Sequence, residues 1–347
     1  MLLWHCLLFY SFIHAATADY FIACRNPTDQ SKVDYAITEA INWAQNALYL
    51  LGDLSLDTTK AAFDPFFQPS DVPTLITLYS AVRDLPAGSL QVKFYCTSSD
   101  FEHWSSKYNG WADMQYTYKD KRGIKQVIGN YYIELGPGSS QTNPPSSRGS
   151  YTTLGFKQKL KNGDVADFSE QAHVYLNPKR VNPPANSVYD HRSLNDIRSN
   201  GLNEGFNALD TLKPLAETIF HEAMHAVGGR ISDDRARPRI TDGPNKDTYK
   251  YQKCAALNAN RGPTTTSPTQ VADCLMLLAK AKKLLTCGGN NGAALYITRI
   301  KAADDPDNKL INAYWSLGAV DRKTGAPIEP TPQPVDRRWL VPVRWWA

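Results

Sequence analysis

The segment His-Glu-Ala-Met-His at positions 221–225 constrains this chain more than any other. Pro214 ahead of it and Gly228-Gly229 behind it bracket a helix of about four turns. On that helix Ile219, Ala223 and Val227 recur at i, i+4 and i+8 and form a face that has to be buried. His221 and His225 point the other way, one turn apart, so both imidazoles can reach one metal ion. A fold for this chain must therefore seat one side of the helix in a core and turn the other toward a cleft. Glu222 stands beside the first ligand and can reach a water at the metal. Such a trio suits amide hydrolysis, because the ion lowers the pKa of the water and polarises the carbonyl while the carboxylate moves the proton.

The rest of the chain supplies material for that core. Val33, Ala36, Ile37, Ala40, Ile41, Ala44 and Leu48 make one apolar stripe, which predicts a helix from Ser31, as N-cap, to Leu51. A second helix is expected from Val72 to Arg83. From Leu90 short β-type runs take over (LQVKFYC, MQYTY, VIGNYYIEL, AHVYLN), separated by Gly, Asn, Pro and Ser. The loop 136–150 interrupts them, and no internal repeat is visible. Helices return at the metal helix, at 248–257 and at 268–285, the last opened by a Ser267/Gln270 capping box. The expected class is α+β, with a twisted, mainly antiparallel sheet packed on the metal-binding helix and a helical C-terminal part.

The N-terminus has an apolar stretch, Leu2 to Ile13, followed by Ala16 and Ala18, and reads as a secretory signal over residues 1–18. One main domain is expected over 19–318, its first part, 19–89, helical and its second, 90–318, holding the sheet and the site. A Pro/Trp-rich tail with Trp339, Trp345 and Trp346 completes the chain at 319–347. No other segment has the run of about twenty apolar residues needed to cross a bilayer, so a secreted, extracellular protein is expected. Its 38 basic and 34 acidic residues, net +4, are interspersed, which does not indicate nucleic acid as a partner. The basic runs at 119–122 and 280–283 read as solvated faces. Removal of Cys6 with the signal leaves five cysteines. Two fall early, which suggests Cys24 with Cys96. The helices at 248–257 and 268–285 should run antiparallel and bring Cys254 to Cys274, leaving Cys287 odd. His103, His173 and His191 read as structural, although the strand 172–176 is expected to flank the cleft and could pair with an extended peptide.

The third metal ligand follows from what is missing. No histidine follows His225, Ile231 stands where an HExxHxxGxxH motif would place one, and the only later glutamate is Glu329. A downstream ligand must therefore be an aspartate. Asp247 has an alternative duty as N-cap of the helix after it, whereas Asp242 sits in an Ile-Thr-Asp-Gly turn with none. Asp242 is the preferred candidate and Asp247 the alternative, ahead of Asp233 and Asp234.

With HEAMH, the stretch ITDGPNKDTYKYQKCAAL and the later QVADCLMLLA, the chain resembles the aspzincin family of deuterolysin and peptidyl-lysine metalloendopeptidases. The resemblance covers most of residues 19–281. It implies a zincin-like fold, one zinc ion per chain and endopeptidase activity on peptides or proteins. It further implies that Tyr249, or failing it Tyr251, donates to the oxyanion, and that Asp273 shapes the pocket for the residue after the scissile bond. Met276 stands where the family has a second acidic residue, against a lysine preference. The competing expectation is a secreted binding or effector protein that keeps a zincin shell with impaired chemistry.

Overall fold

The computed structural model describes residues 20–52, 54–55, 60, 62–97, 102–105, 110–128, 132–133, 149–185, 187, 189–190, 213–228, 239–242, 251–262 and 265–286. The expected signal segment, His191, Asp233, Asp234, Asp247, Tyr249, Cys287 and the tail lie outside them.

Strand β1 (Tyr20–Ala23) leads into α1 (Pro27–Leu51). This helix starts before Ser31, because Asn26 caps it by accepting from the Thr28 amide at 2.9 Å and Pro27 fills the first turn, where its missing N–H costs nothing. Ser31 is interior, its hydroxyl donating to the Pro27 carbonyl at 3.0 Å. Helix α2 (Val72–Arg83) has its expected limits.

The strands follow in order: β2 (Gln91–Tyr95), β3 (Glu102–Ser105), β4 (Gly110–Asp113), β5 (Thr117–Lys119), β6 (Lys125–Val127), β7 (Tyr132–Ile133), β8 (Tyr151–Leu154), β9 (Lys157–Lys159), β10 (Val165–Asp167) and β11 (Gln171–Tyr175). A one-turn helix α3 (Pro178–Val181), the short pair β12 (Tyr189–Asp190) and β13 (Lys213–Pro214), α4 (Leu215–Gly228), α5 (Tyr251–Ala259) and α6 (Ala272–Thr286) complete the described chain. The Ser267/Gln270 capping box forms, but it opens a separate 3-10 turn, Pro268–Gln270, ahead of α6. The fold is mixed, with helices and several small sheets, in keeping with the α+β class.

The central sheet has the order β1-β2-β11-β8, and it corrects the expectation of a mainly antiparallel sheet. Both β1 and β11 run parallel to β2, and only the edge strand β8 is antiparallel. The connection from β1 to β2 passes through α1 and α2, and a crossover of that kind returns the chain in the same direction. Among the described residues antiparallel pairing is confined to β8 and to the pairs outside this sheet. Val92, Phe94, Ala172, Val174 and Leu176 join the core formed with α1, α2, α4 and α6. Phe220 of α4 sits between Trp43 of α1 and Tyr79 of α2, with ring centroids 6.1 Å from each, and the Tyr79 hydroxyl donates to the Leu275 carbonyl of α6 at 2.7 Å.

The alternate residues of β11 face a second layer. His173 and Tyr175 pack against Tyr95, Tyr116 and Tyr151, and the Asp113 carboxylate lies among them. That layer is built from a repeat of hairpin geometry that the sequence does not display. β5–β6 and β9–β10 are hairpins with the same turn, Gly123 at φ 76° and Gly163 at φ 87°, where a side chain would be strained. Each continues into an outer pair, β4 with β7 and β8 with β11. Between 110–133 and 150–173 only Lys119/Lys159, Lys121/Lys161 and Gly123/Gly163 are identical, because the shared property is backbone pairing rather than side-chain chemistry.

Both expected disulfides form, Cys24–Cys96 and Cys254–Cys274. Lys280 departs from the expected solvated face: it is fully buried and paired with Glu217 of α4. No helix among the described residues is long and apolar enough to cross a membrane.

Candidate metal centre

Helix α4 buries Ile219, Ala223 and Val227 against the core, as its periodicity requires, and its opposite side carries the two histidines. His221 Nε2 and His225 Nε2 lie 3.2 Å apart. Asp242 Oδ1 completes a triangle, 3.2 Å from the first and 3.0 Å from the second. A tetrahedral ion bound at about 2.0–2.1 Å would separate its ligand atoms by about 3.3 Å. The triangle has close to that size.

The groups behind the rings decide what the Nε2 atoms offer. His221 Nδ1 lies 3.0 Å from Asp273 Oδ1, and His225 Nδ1 lies 3.2 Å from the Ile240 carbonyl oxygen. Both partners are acceptors, so each Nδ1 carries the proton and each Nε2 presents its lone pair. Two lone pairs and a carboxylate oxygen thus converge on one point, an arrangement that repels itself without positive charge at its centre. Without a cation at that point, protons take its place on the Nε2 atoms. Burial pushes the His221 imidazole down, but the Asp273 and Asp242 carboxylates outweigh burial and raise it well above its ordinary value. Burial likewise pushes the Asp242 carboxyl up, and hydrogen bonds from both histidines reverse this and hold it well below the usual carboxylate range.

Asp242 arrives through backbone pairing. Thr241 forms a parallel bridge with Val271, its amide donating to the Gln270 carbonyl at 2.8 Å and its carbonyl accepting from the Ala272 amide at 3.1 Å. One bridge therefore sets Asp242 at one nitrogen of His221 and Asp273, two residues past Val271, at the other. Gly228 makes the approach possible, since a Cβ there would stand 2.1 Å from Ile240 Cγ1. The disulfide from Cys274 to Cys254 of α5 braces the same corner.

Glu222 is 4 % exposed, and Thr152 of β8 donates its hydroxyl to Glu222 Oε2 at 2.7 Å. Burial pushes the Glu222 carboxyl up, against the lowering influence of His221, His225 and the Thr152 hydrogen bond.

The structure thus brings together four of the expected site residues, His221, Glu222, His225 and Asp242. Asp273, expected at a substrate pocket, is buried behind His221 instead, because the Thr241–Val271 bridge turns it toward the imidazole. His173, on the strand expected to flank the cleft, is buried on the far side of the sheet. Strand β11 itself is interior, paired on both edges, so it cannot add a peptide. Among the described residues the edge of that sheet nearest α4 is β8. Sequence reasoning missed Thr152 and the Ile240 carbonyl. A threonine and a backbone oxygen carry no chemical signature until the fold sets them beside a carboxylate and an imidazole. No family model, curated protein or solved structure matches the chain.

Proposed function

We propose that this chain is a secreted zinc endopeptidase with a zincin-like fold, its metal held by His221, His225 and Asp242 and its proton transfers carried by Glu222. The observation that carries the reading is the convergence of two imidazole lone pairs and one carboxylate oxygen, at 3.0–3.2 Å from one another, beside a buried carboxylate. Three protein ligands of nitrogen and oxygen type suit zinc and leave a fourth position for substrate or water. When bound, the ion would polarise the scissile carbonyl and acidify the attacking water. Glu222 is then the group to accept that proton and return it to the leaving amine. The edge of β8 that no described strand pairs with is where an extended peptide could join the sheet, as part of the aspzincin-like reading.

The purified chain is expected to hold about one zinc per molecule and to cleave unfolded casein, both properties lost with a chelator and restored by zinc. Asp242→Ala should lose the metal while Asp247→Ala keeps it. A chain that takes up no zinc ends the reading, and one that holds zinc and cleaves nothing is instead the binding protein with impaired chemistry. Asp273→Ala, which removes the acceptor behind His221, is expected to weaken zinc binding about 10- to 100-fold in a chelator competition. Unchanged affinity would mean that Asp273 does not orient the ligand.

A further inference from the structure

Glu222 is flanked by an edge strand whose two faces do different work. Thr152 Oγ1 lies 2.7 Å from Glu222 Oε2 and 3.0 Å from the Glu222 carbonyl oxygen. With one hydrogen to give, the shorter contact to the charged oxygen is the stronger. Among the described residues Thr152 is the only donor to this carboxylate. A glutamate has three rotatable side-chain bonds, whereas threonine is stiff at its single one, so the fixed partner here is the hydroxyl.

The next residue faces the other way. Thr153 Oγ1 donates to Asp113 Oδ2 at 2.7 Å, and the same carboxylate receives His173 Nδ1 at 2.9 Å, the Tyr175 hydroxyl at 2.6 Å and the Gln115 amide at 2.8 Å. Asp113 and His173 are fully buried. Successive strand residues point to opposite faces, and a slip of one residue exchanges them. The Asp113 anchor beneath β8 therefore fixes the register in which Thr152, and not a neighbour, meets Glu222.

We infer that Thr152 is a positioning residue for the proposed hydrolysis, holding the Glu222 carboxylate in its working orientation, and that the Asp113–Thr153 contact locks the strand that presents it. This rests on the zinc endopeptidase reading. Thr152→Val keeps the shape and removes the hydrogen bond; Thr152→Ser keeps the hydroxyl. On fluorescein-labelled casein, with zinc content measured on the same samples, Thr152→Val is expected to lose roughly 10- to 100-fold in kcat. Its KM should stay within about twofold and its zinc content unchanged, because casein binding and the three ligands do not depend on this hydroxyl. Thr152→Ser should stay close to wild type. Thr153→Val should reproduce part of the kcat loss with zinc retained. The inference is overturned if Thr152→Val keeps wild-type kcat, if the serine variant loses as much as the valine one, or if zinc is lost. If Thr153→Val has wild-type kcat, the lock is overturned. A wild type that binds zinc and cleaves nothing removes the hydrolase reading itself, and this inference with it.

Discussion

Glu222→Gln is expected to lower peptide hydrolysis by about 10²–10⁴-fold while leaving zinc content at the wild-type level. The amide has nearly the shape of the carboxylate and can still meet the Thr152 hydroxyl, 2.7 Å away in the wild type, but it takes no proton from water. The proposed ligand atoms belong to His221, His225 and Asp242, so metal binding has no reason to change. Stability should hold or rise, since burial already disfavours the ionised carboxylate at this position. Steady-state cleavage with metal analysis and thermal unfolding on one preparation checks all three statements. A variant that keeps its activity would remove Glu222 from the chemistry, and one that loses zinc would mean that Glu222 supports the ligands rather than the reaction.

The second large effect concerns stability. Asp113→Ala deletes the acceptor for the His173 ring, the Tyr175 and Thr153 hydroxyls and the Gln115 amide, all drawn to one buried side chain. Breaking a buried charged network from one side costs about 3–5 kcal/mol, because the stranded donors are no longer solvated. For a chain of this size that corresponds to a fall in Tm of roughly 4–7 °C. The measurement belongs in chelator, so that metal binding does not mask the loss. A change of only a degree or two would show that the network does not stabilise the fold.

The same network sets the response to acid. Burial pushes the His173 imidazole down, only partly offset by Asp113, with Lys93 adding to the depression. The ring is therefore neutral, donating from Nδ1, and its Nε2, which has no hydrogen-bond partner among the described residues, carries a lone pair rather than a buried N–H. Tyr95, Tyr116 and Tyr175 complete its surroundings. Burial pushes the Asp113 carboxyl up, but hydrogen bonds from His173, Tyr175 and Thr153 outweigh it and hold the group below the usual range. For both groups the unfolded chain takes up protons at higher pH than the folded one. The contribution of this network to stability is then fully present above about pH 6.5 and falls as the pH drops, through His173 first and Asp113 below about pH 4. Asp113→Ala should flatten the lower part of that profile.

Much of the candidate site was legible in one dimension because it rests on local rules. Helical period placed two histidines on one side and Ile219, Ala223 and Val227 on the other, and the absence of later histidine and usable glutamate pointed to an aspartate. Two early cysteines and two facing helices announced both disulfides. Tertiary structure decided what depends on pairing between distant segments. The Thr241–Val271 bridge set Asp242 beside the two imidazoles and turned Asp273 behind His221, and neither event has a local signal. Strand direction was likewise hidden, since alternation of apolar residues is the same in parallel and antiparallel sheets and only the crossover through α1 and α2 fixes it. Thr152 and Thr153 stand next to each other in the sequence as two equivalent residues. Their opposite duties, one on Glu222 and one on Asp113, follow from a strand register set by a carboxylate forty residues away.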